Sequence, residues 1–185
     1  MFPELMLSSS IQDFNEQHLD KSNLSRRAVD LYSSMFMHGK LMEALHSLFR
    51  RPSRLLDLQS LKYDARVSGR HYVGIQDVPI ERIRGSEGRV SDFDISFFPI
   101  NPRLRSRWMS VASARMAGLP LPPVELIQVG EIYFVRDGHH RISVAKALGE
   151  KYIEAEVILW DVKTLNLDVR ASFNTLRADA AFQCV

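Results

Sequence analysis

Residues 134–157, FVRDGHHRISVAKALGEKYIEAEV, constrain the fold more than any other stretch. An apolar run closes at Val135, Asp137 and Gly138 follow, and a helical pattern then runs from about His139 to Leu148. Gly149 stops that helix, and a last alternating stretch, YIEAEVILW, begins at Tyr152. Gly138 permits a tight turn between the strand and the helix. Strands before and after a helix are the arrangement of a small α+β domain.

The upstream segments extend this pattern. PPVELIQV and EIYFV are two short strands meeting at Gly130, a hairpin. Before them, NPRLRSRWMSVASARMAGLP sets Leu104, Trp108, Val111, Ala112 and Arg115 on one helical face. Gly118 is its natural stop, and Pro120 forbids continuation. DFDISFFPI alternates and is expected as a strand, with Phe93, Ile95 and Phe97 on one face and Asp92, Asp94 and Ser96 on the other. VPIERI, residues 78–83, reads as another strand, broken at RGSEGR. From Asn23, a good N-cap, Leu24, Ala28, Leu31, Met35, Leu41, Leu45 and Leu48 recur at helical spacing, interrupted near Gly39 and stopped by Pro52.

Four segments follow: a loose polar arm over 1–23, a helical extension over 24–58, the α+β domain over 59–160 and a weakly patterned tail over 161–185. The extension is expected to pack on the domain with Leu31, Leu41 and Leu45 buried, and it is also the candidate surface for a homodimer. No run approaches the roughly 20 apolar residues of a membrane-spanning helix. The N-terminal residues lack the basic and apolar regions of a signal peptide. The single cysteine, Cys184, fits a reducing compartment, so the expected location is the cytoplasm, with no membrane partner. A net charge of +2 does not by itself announce a nucleic-acid binder.

Asp-Gly-His-His-Arg is compatible with three chemistries. Adjacent histidines on a helix point about 100° apart and do not share a zinc ion easily, and no second His or Cys cluster has ligand spacing. A nucleophile is disfavoured because Ser143 lies inside the helix, without the glycine-flanked elbow that exposes a catalytic serine. An anion cradle fits best: the amides of His139, His140 and Arg141 open a helix whose positive dipole end faces the same volume. Arg141 adds a forked fixed charge suited to phosphate, and Asp137 is the expected cap. The same residues would equally make a capped helix start with surface histidines.

DGHHRISVAKALG followed by YIEAEV resembles the ParB N-terminal and sulfiredoxin superfamily, over roughly residues 72–160, with VPIERI and LPPVELI in matching order. The resemblance implies a small mixed sheet with helices, here preceded by a helical extension, and a Gly-x-x-Arg loop that holds nucleotide phosphates. Carried over, that loop falls on Gly138, His139, His140 and Arg141, next to Asp137. Sulfiredoxins carry a reactive cysteine where this chain has His139, which argues against sulfinic-acid reduction. ParB partition proteins continue into a helix-turn-helix region, and about 25 residues after Trp160 are too few for one.

The resemblance to ParB-like nucleases, ATPases and free-serine kinases implies ATP or another nucleotide, with Mg²⁺, and phosphoryl transfer or hydrolysis. Glu87 is the candidate base, His140 a second catalytic candidate, and Arg89 either clamps a phosphate or pairs with Asp92. Asp92 and Asp94 are candidate Mg²⁺ ligands, alternatively the wet side of a strand. Arg103, Arg105 and Arg107 could form a basic edge. The rival readings are a DNA-associated nuclease or nucleotide-gated clamp, and a partner-binding module without catalysis.

Overall fold

The structure, a computed structural model, describes residues 4–49, 54–60 and 67–162, with side chains from residue 21 onward. The expected hairpin forms: β4 (Val124–Val129) and β5 (Ile132–Asp137) pair antiparallel around Gly130, whose φ of 60° suits glycine. Both strands are apolar and largely buried, as strands inside a sheet covered on both faces must be. β3 (Ile83–Ser86) lies parallel to β5 and β1 (Leu56–Asp57) parallel to β3. β6 (Tyr152–Val162) runs parallel to β4, and β2 (Val67–Pro79) closes the far side antiparallel to β6. The result is a mixed six-stranded sheet in the order β1-β3-β5-β4-β6-β2, in an α+β fold.

Alternation along the central strands divides the core in two. Leu126, Val135, Ala155 and Val157 face one cluster, and Ile127, Val129, Phe134 and Trp160 face the other. The first face is covered by α3 (His139–Ala147), through Ile142 and Ala145. α2 (Arg105–Met116) packs on α3, and α1 (Glu4–Leu48) packs on α2. Ala28, Tyr32, Trp108, Ala112 and Val144 form the cluster between these helices. The buried Trp108 Nε1 donates to Ser143 Oγ at 2.8 Å, which satisfies both polar groups inside an apolar layer.

Several expectations change. The helix begins at Glu4 and passes through Asn23 and Gly39 without interruption, so neither the arm-to-helix boundary at 23 nor the break near Gly39 is present. Gly39 is instead a contact: a Cβ there would come within 3.1 Å of Ile100 Cγ2 and of the Pro99 carbonyl. The packed face is therefore Ala28, Tyr32 and Gly39, with Leu31 half-buried, while Leu41 and Leu45 are exposed together with Met37 and Leu48. The apolar periodicity was real, but two stripes share this helix and only one meets the domain.

VPIERI is not one strand. It spans the end of β2, a 3-10 turn at Ile80–Arg82 and the first residue of β3. DFDISFFPI is not a strand either; it is an irregular loop with isolated bridges, Phe93 to Pro99 and Arg54 to Asp94, and Phe97 at φ 64°. Apolar Phe93 and Phe97 are both wholly buried, and that burial is what their alternation encoded. The tail expected beyond Val162 lies outside the described residues.

Candidate functional site

The strand-to-helix junction forms where the sequence placed it. β5 ends at Asp137, Gly138 sits at φ 98° and α3 starts at His139. Gly138 is required twice over: that φ suits glycine, and a Cβ would come within 2.5 Å of Val124 Cγ1. No side chain caps the helix start. The first intrahelical bond runs from Ile142 N to Gly138 O, so the amides of residues 139–141 lie before the ladder begins.

Asp137 is therefore not the cap. Its carboxylate accepts from Arg141 Nη2 at 2.5 Å, one turn along the helix. Arg141 Nη1 donates to the carbonyls of Pro122 and Pro123 at 2.5 and 2.7 Å. The guanidinium thus ties the chain entering β4 to the start of α3. Its fork is occupied by protein oxygens, whereas the sequence reading gave it to phosphate.

The histidines are buried rather than surface donors, with His139 at 6% and His140 at 8% exposure. Phe93 packs against both, stacked on His139 at 6.0 Å and edge-on to His140 at 5.8 Å. Both imidazoles are pushed down to about 4, chiefly by burial and then by the charge of Arg89. Arg107 lowers His140 further. Both rings are neutral near pH 7, and His140 Nδ1 is buried without a hydrogen-bond partner among the described residues.

The loop after β3 lies against this junction. Glu87 N donates to Val135 O at 2.9 Å, which extends the β3–β5 pairing into the loop. Ser86, fully buried, places its Oγ 2.7 Å from His139 Nε2 and accepts from the amides of Gly88 and Arg89 at 3.2 and 2.9 Å. Sequence reasoning overlooked Ser86; a serine at the end of an alternating run carries no signal of its own. Glu87 lies in that loop, with its carboxylate 3.8 Å from Arg136 Nε on β5. Arg89 takes the second of its two expected roles, pairing with Asp92 at 3.5 Å.

The two candidate Mg²⁺ ligands, Asp92 and Asp94, both accept hydrogen bonds from protein groups. Asp92 Oδ1 accepts from Asn101 Nδ2 at 2.8 Å, while Asp94 is buried and its Oδ1 accepts from the amides of Ser96 and Phe98 at 2.9 and 2.8 Å. Asp94 therefore holds a turn, and burial raises its pKa. Among the described residues, no group of three or more His, Cys, Asp or Glu could hold a metal ion. Arg103, Arg105 and Arg107 are exposed around the start of α2, as a basic edge would be. Among the described residues, no helix is long and apolar enough to cross a membrane.

No family model matches the chain, and no curated protein matches it. Among solved structures, the crystal structure of sulfiredoxin from Arabidopsis thaliana is similar over 45% of this chain and 82% of that one, at 25% identity and a TM-score of 0.33.

Proposed function

We propose that the protein binds a phosphate-bearing ligand of the nucleotide class at the start of α3. One observation carries this reading: a helix start without a side-chain cap lies beside His139 and His140, where the Arg89 charge acts on both rings and the Arg107 charge on His140, against the smaller opposing charges of Asp92 and Asp137. Backbone amides at a helix N-terminus and nearby guanidinium groups suit the same anion. Arg107 is exposed and has no ion-pair partner among the described residues. Arg141 serves by holding the cradle's shape. In its finer form the reading makes the protein a phosphotransferase or hydrolase, with Glu87 as proton acceptor. It assigns no protein ligand to Mg²⁺.

Calorimetric titration of ATP, ADP, CTP and GTP, with and without Mg²⁺, tests the proposal. Saturable binding that Arg107→Ala weakens is the expected result. No binding of any of the four would overturn it.

A DNA-associated role rests on a different observation, the exposed Arg103, Arg105 and Arg107. It calls for duplex retention that falls steeply with salt. A homodimer through α1 rests on the exposed Met37, Leu41, Leu45 and Leu48, and sedimentation at increasing concentration reads it directly.

A further inference from the structure

β2 stands at one end of the sheet, and among the described residues no strand pairs with its outer side. It carries Tyr72, Val73 and Ile75 there at 64%, 48% and 60% exposure. An exposed apolar edge strand is a template for another chain.

The pairing with β6 fixes which side chains share a face. Arg70, Tyr72, Ile75 and Asp77 lie opposite Trp160, Ile158, Glu156 and Glu154, which alternate regularly along β6. All four β2 residues therefore stand on one face of the sheet. In an unbroken strand Tyr72 and Ile75, three apart, would point to opposite faces. The slip between Tyr72 and Gly74 realigns them.

That realignment makes the strand complementary to itself. A second β2, laid antiparallel about a two-fold axis between Val73 and Gly74, sets residue 70 opposite 77 and residue 72 opposite 75. Opposed residues in antiparallel strands share a face, and this register meets that condition because the slip lies at its centre. A register centred elsewhere meets the slip out of phase. Arg70 then faces Asp77 of the second copy, and Tyr72 meets Ile75, an aromatic and β-branched pair. Within its own chain Asp77 stands opposite Glu154, a like charge that an incoming arginine would offset. The Arg70 guanidinium lies 4.6 Å over the Trp160 ring, which engages its flat face and not its N–H edge. At the centre Val73 meets Gly74, where no atom lies within 4 Å of an added Cβ, so there is room for the valine.

We propose that β2 is the seam of a homodimer, in which two copies pair residues 70–77 antiparallel and their six-stranded sheets become one. The occupant is a second copy of this chain, because charge pattern and slip read the same from either end. Such a contact is isologous and closes on itself. The slip between Val67 and Gly69 falls outside it. The seam uses neither α1 nor the start of α3, so it does not depend on nucleotide.

Sedimentation of the full chain at increasing concentration should show a monomer–dimer equilibrium. Arg70→Asp and Asp77→Arg should each weaken the dimer about tenfold or more, and combining the two should restore it. Cysteine trapping in a Cys184→Ser background reads the register. Mixed Tyr72→Cys and Ile75→Cys chains should form an intermolecular disulfide. Either variant alone should not, since its two thiols would lie too far apart across the axis. A monomer at every concentration would overturn the proposal, as would a dimer that Leu41→Glu dissolves and Arg70→Asp does not. A combined variant no tighter than the single ones would overturn the charge pairing, and trapping of one variant alone as fast as the mixture would overturn the register.

Discussion

Ser86 Oγ lies 2.7 Å from His139 Nε2 while accepting from two backbone amides, those of Gly88 and Arg89. A hydroxyl with both lone pairs engaged has only its proton left to give. Ser86 therefore donates to His139, and the imidazole carries its own proton on Nδ1. Long-range ¹⁵N–¹H correlation should show His139 as the Nδ1–H tautomer at pH 7; an Nε2–H signal would reverse the bond. Ser86→Ala leaves two amides and a ring nitrogen short of a partner and should cost about 2–4 kcal/mol in urea unfolding.

Acid should weaken the fold well before the carboxylates dominate. In the unfolded chain the histidines take up protons near 6.5, whereas His139 and His140 in the folded protein resist until about 4. Between those values the unfolded state binds more protons, so stability falls as pH drops from 6.5 to 4. Each histidine accounts for up to about 3 kcal/mol of that loss. Asp94 acts in the opposite sense, because its raised pKa lets the folded state take a proton first. Urea midpoints measured across this window should fall on acidification, and His140→Phe should flatten the slope.

Two glycines with similar backbone should tolerate alanine differently. Gly138 (φ 98°) has Val124 Cγ1 only 2.5 Å from where a Cβ would sit, whereas Gly149 (φ 76°) faces open space. Gly149→Ala bears only the left-handed backbone strain, about 1–2 kcal/mol. Gly138→Ala adds a collision within the sheet-to-helix junction and should lose about 3 kcal/mol or more. Equal thermal shifts for the two would contradict this packing.

Arg141 and Arg107 should separate architecture from binding. Arg141→Ala removes three hydrogen bonds that hold the chain at Pro122 and Pro123 to α3, so it should lower the unfolding free energy by about 2–3 kcal/mol. Arg107→Ala removes an exposed cation without a described partner and should leave stability within about 0.5 kcal/mol. It should instead weaken nucleotide binding by about tenfold.

Substitution along α1 should follow the buried stripe. Ala28→Glu drives a carboxylate between Tyr32, Trp108 and Ala112 and should strip α1 from the domain. Leu41→Glu, on the exposed side, should leave the melting temperature nearly unchanged. Far-ultraviolet circular dichroism with thermal melts distinguishes the two.

Legibility in the sequence tracked how local each signal was. The hairpin at Gly130, the junction at Gly138 and the helix stop at Gly149 are set by neighbouring residues, and all three stand where the pattern put them. DFDISFFPI misled because burying Phe93 and Phe97 in an irregular loop leaves the same alternation as a strand. The fate of Arg141 was hidden for another reason. Its partners at Pro122 and Pro123 are backbone carbonyls, whose positions depend on how β4 enters the sheet. Ser86 became visible only when β3 and β5 were paired.

β2 ends the sheet as a long strand, with exposed Tyr72, Val73 and Ile75, yet its pairing with β6 slips between Val67 and Gly69 and again between Tyr72 and Gly74. Each slip bends the strand and tightens its twist. A further strand laid along the outer side would have to reproduce both slips in step to keep its hydrogen bonds. The boundary of the sheet is thus a seam with a broken thread, poorly matched to the flat repeating contact from which fibrils grow.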